Sequence, residues 1–145
     1  MNDKRIYSVL AMAGVTPFVA CAILPLAGFD PIELLGPLAD VAASYGLAIV
    51  SFLAGIHWAT QIYDRQQSGF NLLIASNVVF VGVWLAYAIG PVEFALTAQL
   101  VALLVLLGVD RWLLNNGVIS AHYYRTRSAA TALAVLSLAV IVLAS

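Results

Sequence analysis

Five runs of predominantly apolar residues, 6–26, 41–63, 72–89, 94–114 and 128–144, take up most of the chain and restrict what it can fold into. A helix needs about 17–25 such residues to cross the hydrocarbon of a bilayer, and each run meets that length. With no water to bond in that layer, the backbone of each run must satisfy its own N–H and C=O groups as a helix. The expectation is an all-α integral membrane protein, a single domain over 1–145 built as a bundle of five transmembrane helices.

Composition agrees. The chain is 63% hydrophobic and 9% charged, whereas soluble domains carry about a quarter charged residues. A net charge of −1 provides no basic field for nucleic acid. The lone Cys21 sits in an apolar run and supports neither a disulfide nor a zinc site. Lys4 and Arg5 ahead of the first run resemble a signal peptide, but the apolar stretch continues past Cys21 to Leu26, so a retained helix is expected.

The connections carry turn chemistry: Gly28-Phe29-Asp30-Pro31 and Gly36-Pro37, then Gln66-Gln67-Ser68-Gly69, Gly90-Pro91 and Asn115-Asn116-Gly117. Pro17 lies inside the first span and predicts a kink, while Pro25 helps to end that span. With five spans, all six Lys and Arg residues fall on one side of the bundle, and Asp30, Glu33, Asp40 and Glu93 on the other. The positive-inside rule makes the basic side cytoplasmic, or the matrix in an organelle, which leaves the C-terminus outside. A multi-pass protein of a bacterial plasma membrane or mitochondrial inner membrane is expected.

The second span holds the most polar groups. His57, Gln61 and Asp64 stand at i, i+4 and i+7 and share one stripe, with Thr60 beside it and Gly46, Val50 and Ala54 extending it. A second row of small residues, Ser44, Ala48, Ser51, Gly55 and Ala59, has the spacing of a close helix–helix contact. The short loop after this span makes a hairpin that sets His57 opposite Asn77, and a direct or water-bridged contact between them is expected. Asp110 falls at the same end of the fourth span and shares a helical face with Gln99. Arg111, its sequence neighbour, points elsewhere, so Arg125, Arg127 or an N-terminal basic residue is the better partner. The expected polar cluster is therefore His57, Gln61, Asp64, Asn77 and Asp110. Trp58, Trp112, Tyr123 and Tyr124, with Arg125 and Arg127, read as an interfacial belt.

Gly14-Val15-Thr16-Pro17-Phe18, Tyr45 and Ser51-Phe52-Leu53-Ala54-Gly55-Ile56-His57-Trp58 are similar to a known pattern: Gly-x-x-Pro-Phe in a first helix and Ser-Phe-Leu-Gly-Gly-x-His-Trp in a second. Together with Asp110, Tyr123-Tyr124 and Arg127, the sequence resembles the DUF3429 family of small membrane proteins, whose eukaryotic relatives are the mitochondrial transmembrane protein 69-like proteins. Ala54 stands where that pattern has glycine, Ala59 follows the Trp where glycine is expected, and no proline lies near Val79. The resemblance implies a five-helix inner-membrane protein and brings no activity with it.

Catalytic motifs are missing: there is no nucleophile elbow, no His-Glu-x-x-His, no Cys pair and no glycine-rich phosphate loop. The expected role is a non-enzymatic accessory or assembly subunit of a larger membrane complex, contacting lipid and a membrane-protein partner, with no metal or cofactor. One alternative is a small solute or proton-coupled transporter with a cytoplasm-facing cavity lined by His57, Gln61, Asn77 and Asp110. The other is a protein that binds quinone, haem or lipid there.

Overall fold

In the computed structural model, which describes residues 3–63 and 70–145, the apolar runs fold as helices, the first with an interruption. The first run is broken into α1 (Asp3–Ala13) and α2 (Thr16–Ile23), followed by a short 3-10 turn at Pro25–Ala27. The others form α3 (Leu38–Tyr63), α4 (Leu72–Ile89), α5 (Val92–Asn115) and α6 (Ala121–Ala144). Among the described residues, five helical segments are long and apolar enough to cross a membrane, Asp3–Ala27 counting as one. Large apolar side chains such as Phe52, Ile74, Val78, Val101 and Leu136 are exposed on the outer surface. In a bilayer such a surface meets lipid, as a multi-pass bundle requires.

The break in the first span follows from Pro17. Proline has no N–H to give the Ala13 carbonyl one turn back. That carbonyl instead accepts from the Thr16 hydroxyl at 2.7 Å, and the adjoining Gly14 carbonyl accepts from Tyr45 Oη at 2.8 Å. Phe18 packs edge-on against the Tyr45 ring, with centroids 5.1 Å apart. The Gly-x-x-Pro-Phe segment and Tyr45 thus form one device, which bends the first span and fastens the bend to α3.

Around it, α3 packs on α2, α4 and α5, and α5 on α3, α4 and α6, so α3 and α5 form the centre. Beyond the bend α2 sits between α3 and α6, whereas α1 leans on α6. The buried row of α3 is Gly46, Val50, Leu53, Ala54 and His57. The small-residue row expected to pack does not: Ser44, Ala48, Gly55 and Ala59 are exposed. α3 closes on its neighbours along the row with the larger Val50 and Leu53 side chains, which make more contacts than alanine or glycine can.

The fifth span also starts earlier than its hydropathy indicates, at Ala121 instead of 128. Ser120 caps it, its hydroxyl accepting from the Tyr123 N–H at 3.1 Å. His122, Tyr123, Tyr124, Arg125 and Arg127 are therefore helical and not part of a loop. An apolar-run criterion ends at these polar residues, although one face of this turn is buried.

Gly46 shows why the centre is tight. Gln99, fully buried on α5, donates its Nε2 to the Ala43 carbonyl at 2.6 Å. A Cβ at Gly46 would overlap the Gln99 amide, standing 2.8 Å from its Cδ, with the Phe18 ring 3.4 Å away on another side. Gly46→Ala is accordingly expected to break the Gln99–Ala43 bond and cost about 1–3 kcal/mol, the usual range for overpacking. Thermal unfolding in detergent measures this, and an unchanged midpoint would contradict the packing described.

Candidate functional site

Three helices meet at one buried carboxylate. Asp110 on α5 is 1% exposed, His57 on α3 3% and Arg127 on α6 7%. Asp110 Oδ1 lies 2.8 Å from His57 Nε2, and its Oδ2 accepts from Arg127 Nε at 3.0 Å. A carboxylate only accepts, so His57 Nε2 carries the hydrogen. Arg127 is charged in any environment and, buried, requires a counter-charge, which Asp110 supplies.

The geometry sorts the polar residues expected from sequence into separate places. His57 and Asp110 meet. Asn77 does not join them: it is exposed on α4, and its Nδ2 donates to the Leu73 carbonyl of its own helix at 2.8 Å. A hairpin fixes depth but not direction around the helix axis. Successive residues point about 100° apart, and it is Ser76 that turns inward. Nor does Gln61 reach the cluster. Its Oε1 accepts from the Leu72 N–H at 3.0 Å, while Asn71 Oδ1 takes the Leu73 and Ile74 N–H groups, so the two residues together cap α4. Asp64 lies outside the described residues.

The belt residues divide as well. Trp58 is exposed, and Trp112 packs edge-on to Phe70 at 5.7 Å. Arg111 lies 5.5 Å from the Tyr124 ring centroid, and Arg125 is exposed. Arg127 does not lie at an exposed rim: it is buried in the bundle and bonds Asp110. Tyr123 also turns inward, stacking on Tyr7 of α1 with centroids 5.0 Å apart and planes 20° apart. Nearby, Ser8 Oγ lies 3.1 Å from His122 Nε2 and 3.3 Å from Thr126 Oγ1, fastening α1 to α6.

Beside the charged cluster is a cavity of about 470 Å³. Its walls are apolar, from Leu10 and Val15 of the first span, Ile49, Leu53 and Ile56 of α3 and Leu103 of α5. Leu10 and Phe52, also lining it, are 65% and 67% exposed, so the cavity opens sideways between α1 and α3. Its polar wall comprises Tyr7, Tyr123, Arg127 and Thr131. The hydroxyls of Tyr7 and Thr131 are buried and have no hydrogen-bond partner among the described residues. Sequence reasoning missed Tyr7 and Thr131. The available signal for Thr131 was its position one turn beyond Arg127, on the same helical face. For Tyr7 there was none, since a tyrosine just after Lys4 and Arg5 reads as an interfacial anchor.

Among the described residues, no group of three or more His, Cys, Asp or Glu side chains could hold a metal ion. The cavity is walled almost wholly by apolar groups. A family profile described as "Protein of unknown function (DUF3429)" matches residues 4–143. No curated protein and no solved structure matches the chain.

Cutting the charged cluster from either side separates a bound pair from two polar residues that merely lie close. Removing one partner of a buried ion pair costs about 3–5 kcal/mol, because the other charge stays behind unpaired. Asp110→Asn and Arg127→Gln are each expected to destabilise the bundle on that scale, and the double variant by less than their sum. A double-mutant cycle of unfolding in detergent checks this, and strict additivity would mean that the pair is not coupled.

Proposed function

The chain belongs to the DUF3429 family, and from that premise we propose that it is a non-enzymatic membrane protein that holds a lipid-soluble amphiphile in the cavity between α1, α3 and α6. One observation carries this reading. An apolar cavity of about 470 Å³ opens to the lipid side between α1 and α3, beside the paired Arg127 and the Tyr7–Tyr123 stack. An apolar molecule filling such a space gains dispersion contacts along its walls.

The same geometry disfavours the carrier reading. Gln61 and Asn77 are engaged elsewhere, and the acceptors of Asp110 are taken by His57 and Arg127. The accessory role expected from the sequence fits a binding bundle, which would hold or hand over its ligand beside a larger membrane complex. Lys4 and Arg5 at the start of α1, Arg111 at the end of α5 and Arg125 in the first turns of α6 share one end of the bundle. By the positive-inside rule this end faces the cytoplasm or matrix, in a bacterial plasma membrane or a mitochondrial inner membrane. The polar wall of the cavity then lies in that half of the bilayer.

Ala11 is partly exposed and lines the cavity from α1, so a larger side chain there fills the space without entering the core. Protein purified in mild detergent is expected to carry a lipid-soluble molecule, found by solvent extraction and mass spectrometry, near one per chain. Ala11→Phe should reduce that occupancy at least tenfold while the protein stays folded. Wild-type extracts matching the bulk lipid, with no enriched species, would contradict the proposal.

A further inference from the structure

The dimensions of the cavity indicate which part of an amphiphile enters it, an inference that rests on the binding role proposed above. One wall runs along α6 from Tyr123 to Ala134, about 16 Å at the helical rise of 1.5 Å per residue. The first span lines the same course, from Tyr7, stacked on Tyr123 at one end, to Phe18 beyond the bend. Spread over that length, the 470 Å³ form a slot about 30 Å² in section, or about 6 Å across. Carbon atoms touch at about 3.5–4.0 Å, so one zigzag hydrocarbon chain fits this width and two side by side do not. The slot lies along the helix axes, the direction in which lipid chains run, and its mouth at Leu10 and Phe52 faces the bilayer. Its inner end is fixed, because Phe18 is 1% exposed and held edge-on against Tyr45. Its other end lies one turn from the exposed Lys4, near the rim of the bundle.

We propose that the slot takes a single hydrocarbon chain of a membrane lipid, entering sideways from the bilayer, and leaves the head outside at the basic end. Its walls are almost wholly apolar, and the one charged group among them, Arg127, is already bonded to Asp110. A chain in the slot touches walls packed at the density of a protein interior, which exceeds that of a hydrocarbon liquid. Binding therefore comes from the chain and is indifferent to the head. The closed end also limits the length that counts. Each C–C bond advances an extended chain by about 1.25 Å, so about 16 Å of slot holds about 12–14 carbons. Further carbons stay in the surrounding lipid and add nothing. The bend at Pro17 thus has a second consequence: by placing Phe18 at the inner end, it sets the length of chain that fits.

A series of single-chain phosphocholines, from eight to eighteen carbons, tests this on the full-length protein in digitonin, a detergent without an alkyl chain. The reading is the ligand-dependent shift in unfolding temperature, compared at equal mole fraction in the micelle. Affinity is expected to rise at least tenfold between eight and fourteen carbons and to level off at about 12–14. Exchanging phosphocholine for maltoside at fourteen carbons should change it less than threefold. Ala11→Phe, one turn inside the slot from Tyr7, should remove the gain between eight and fourteen carbons while the protein stays folded. Affinity that keeps rising to eighteen carbons, or that is flat across the series, overturns this inference and leaves the binding role standing. So does a shift that the head exchange abolishes. Saturable binding of no member of the series overturns the binding role and this inference with it.

Discussion

A buried arginine needs a counter-charge, and much of this bundle is arranged around supplying one. Asp110 sits where α3, α5 and α6 converge, and its two oxygens serve His57 and Arg127 separately. This pairing lets the first turns of α6 turn inward although they carry histidine, tyrosines and arginines. It also fixes α6 in rotation, so that Tyr123, Arg127, Thr131 and Ala134 form one continuous wall of the cavity. Lipid offers no hydrophobic drive for helices to associate, so polar contacts and close packing have to hold them together. Here one carboxylate joins three helices.

The other wall comes from the bend in the first span. Pro17 withholds an N–H, Thr16 and Tyr45 satisfy the two carbonyls at the break, and α2 is held between α3 and α6. α1 then leans toward α6 and away from α3, which opens the lateral mouth. Gly46 allows Gln99 and Phe18 to approach the middle of α3 closely, so the half of the bundle beyond the bend is tightly packed. The cavity occupies the other half, where α1 and α3 diverge. The bend and the charged cluster thus have distinct roles: one makes the space, and the other sets the charge at its polar wall.

Hydropathy made the five spans legible because each is uninterrupted by charge over most of its length. The kink was legible because proline acts locally. Of the residues that carry the likeness to DUF3429, Gly14, Pro17, Phe18 and Tyr45 belong to the bend and His57, Asp110 and Arg127 to the charged cluster. Partners across the bundle were harder to read. Helical faces excluded Arg111 as the partner of Asp110 and left Arg127 among the candidates, an argument that needs only the periodicity of one helix. Pairing His57 with Asn77 relied on hairpin adjacency, but rotation about α4 is set by packing and turns Asn77 outward. Asp110 is 53 residues from His57, and no local rule says that α3 touches α5. The start of α6 was misread for a related reason: hydropathy treats a buried, paired arginine as if it were exposed. The cavity was invisible because it consists of the space between helices, which no single helix's pattern records.

On the proposed binding role, this space, and not the outer surface of the bundle, holds the lipid-soluble molecule. A lipid-soluble amphiphile carrying a photoactivatable diazirine, irradiated with the protein in native membranes and mapped by peptide mass spectrometry, tests it directly. Label is expected to concentrate on residues 7–14 of the first span and 123–134 of α6, and to be displaced by excess unlabelled amphiphile. Label spread over the exposed faces of α4 and α5 in proportion to their area, and not displaced, would contradict it.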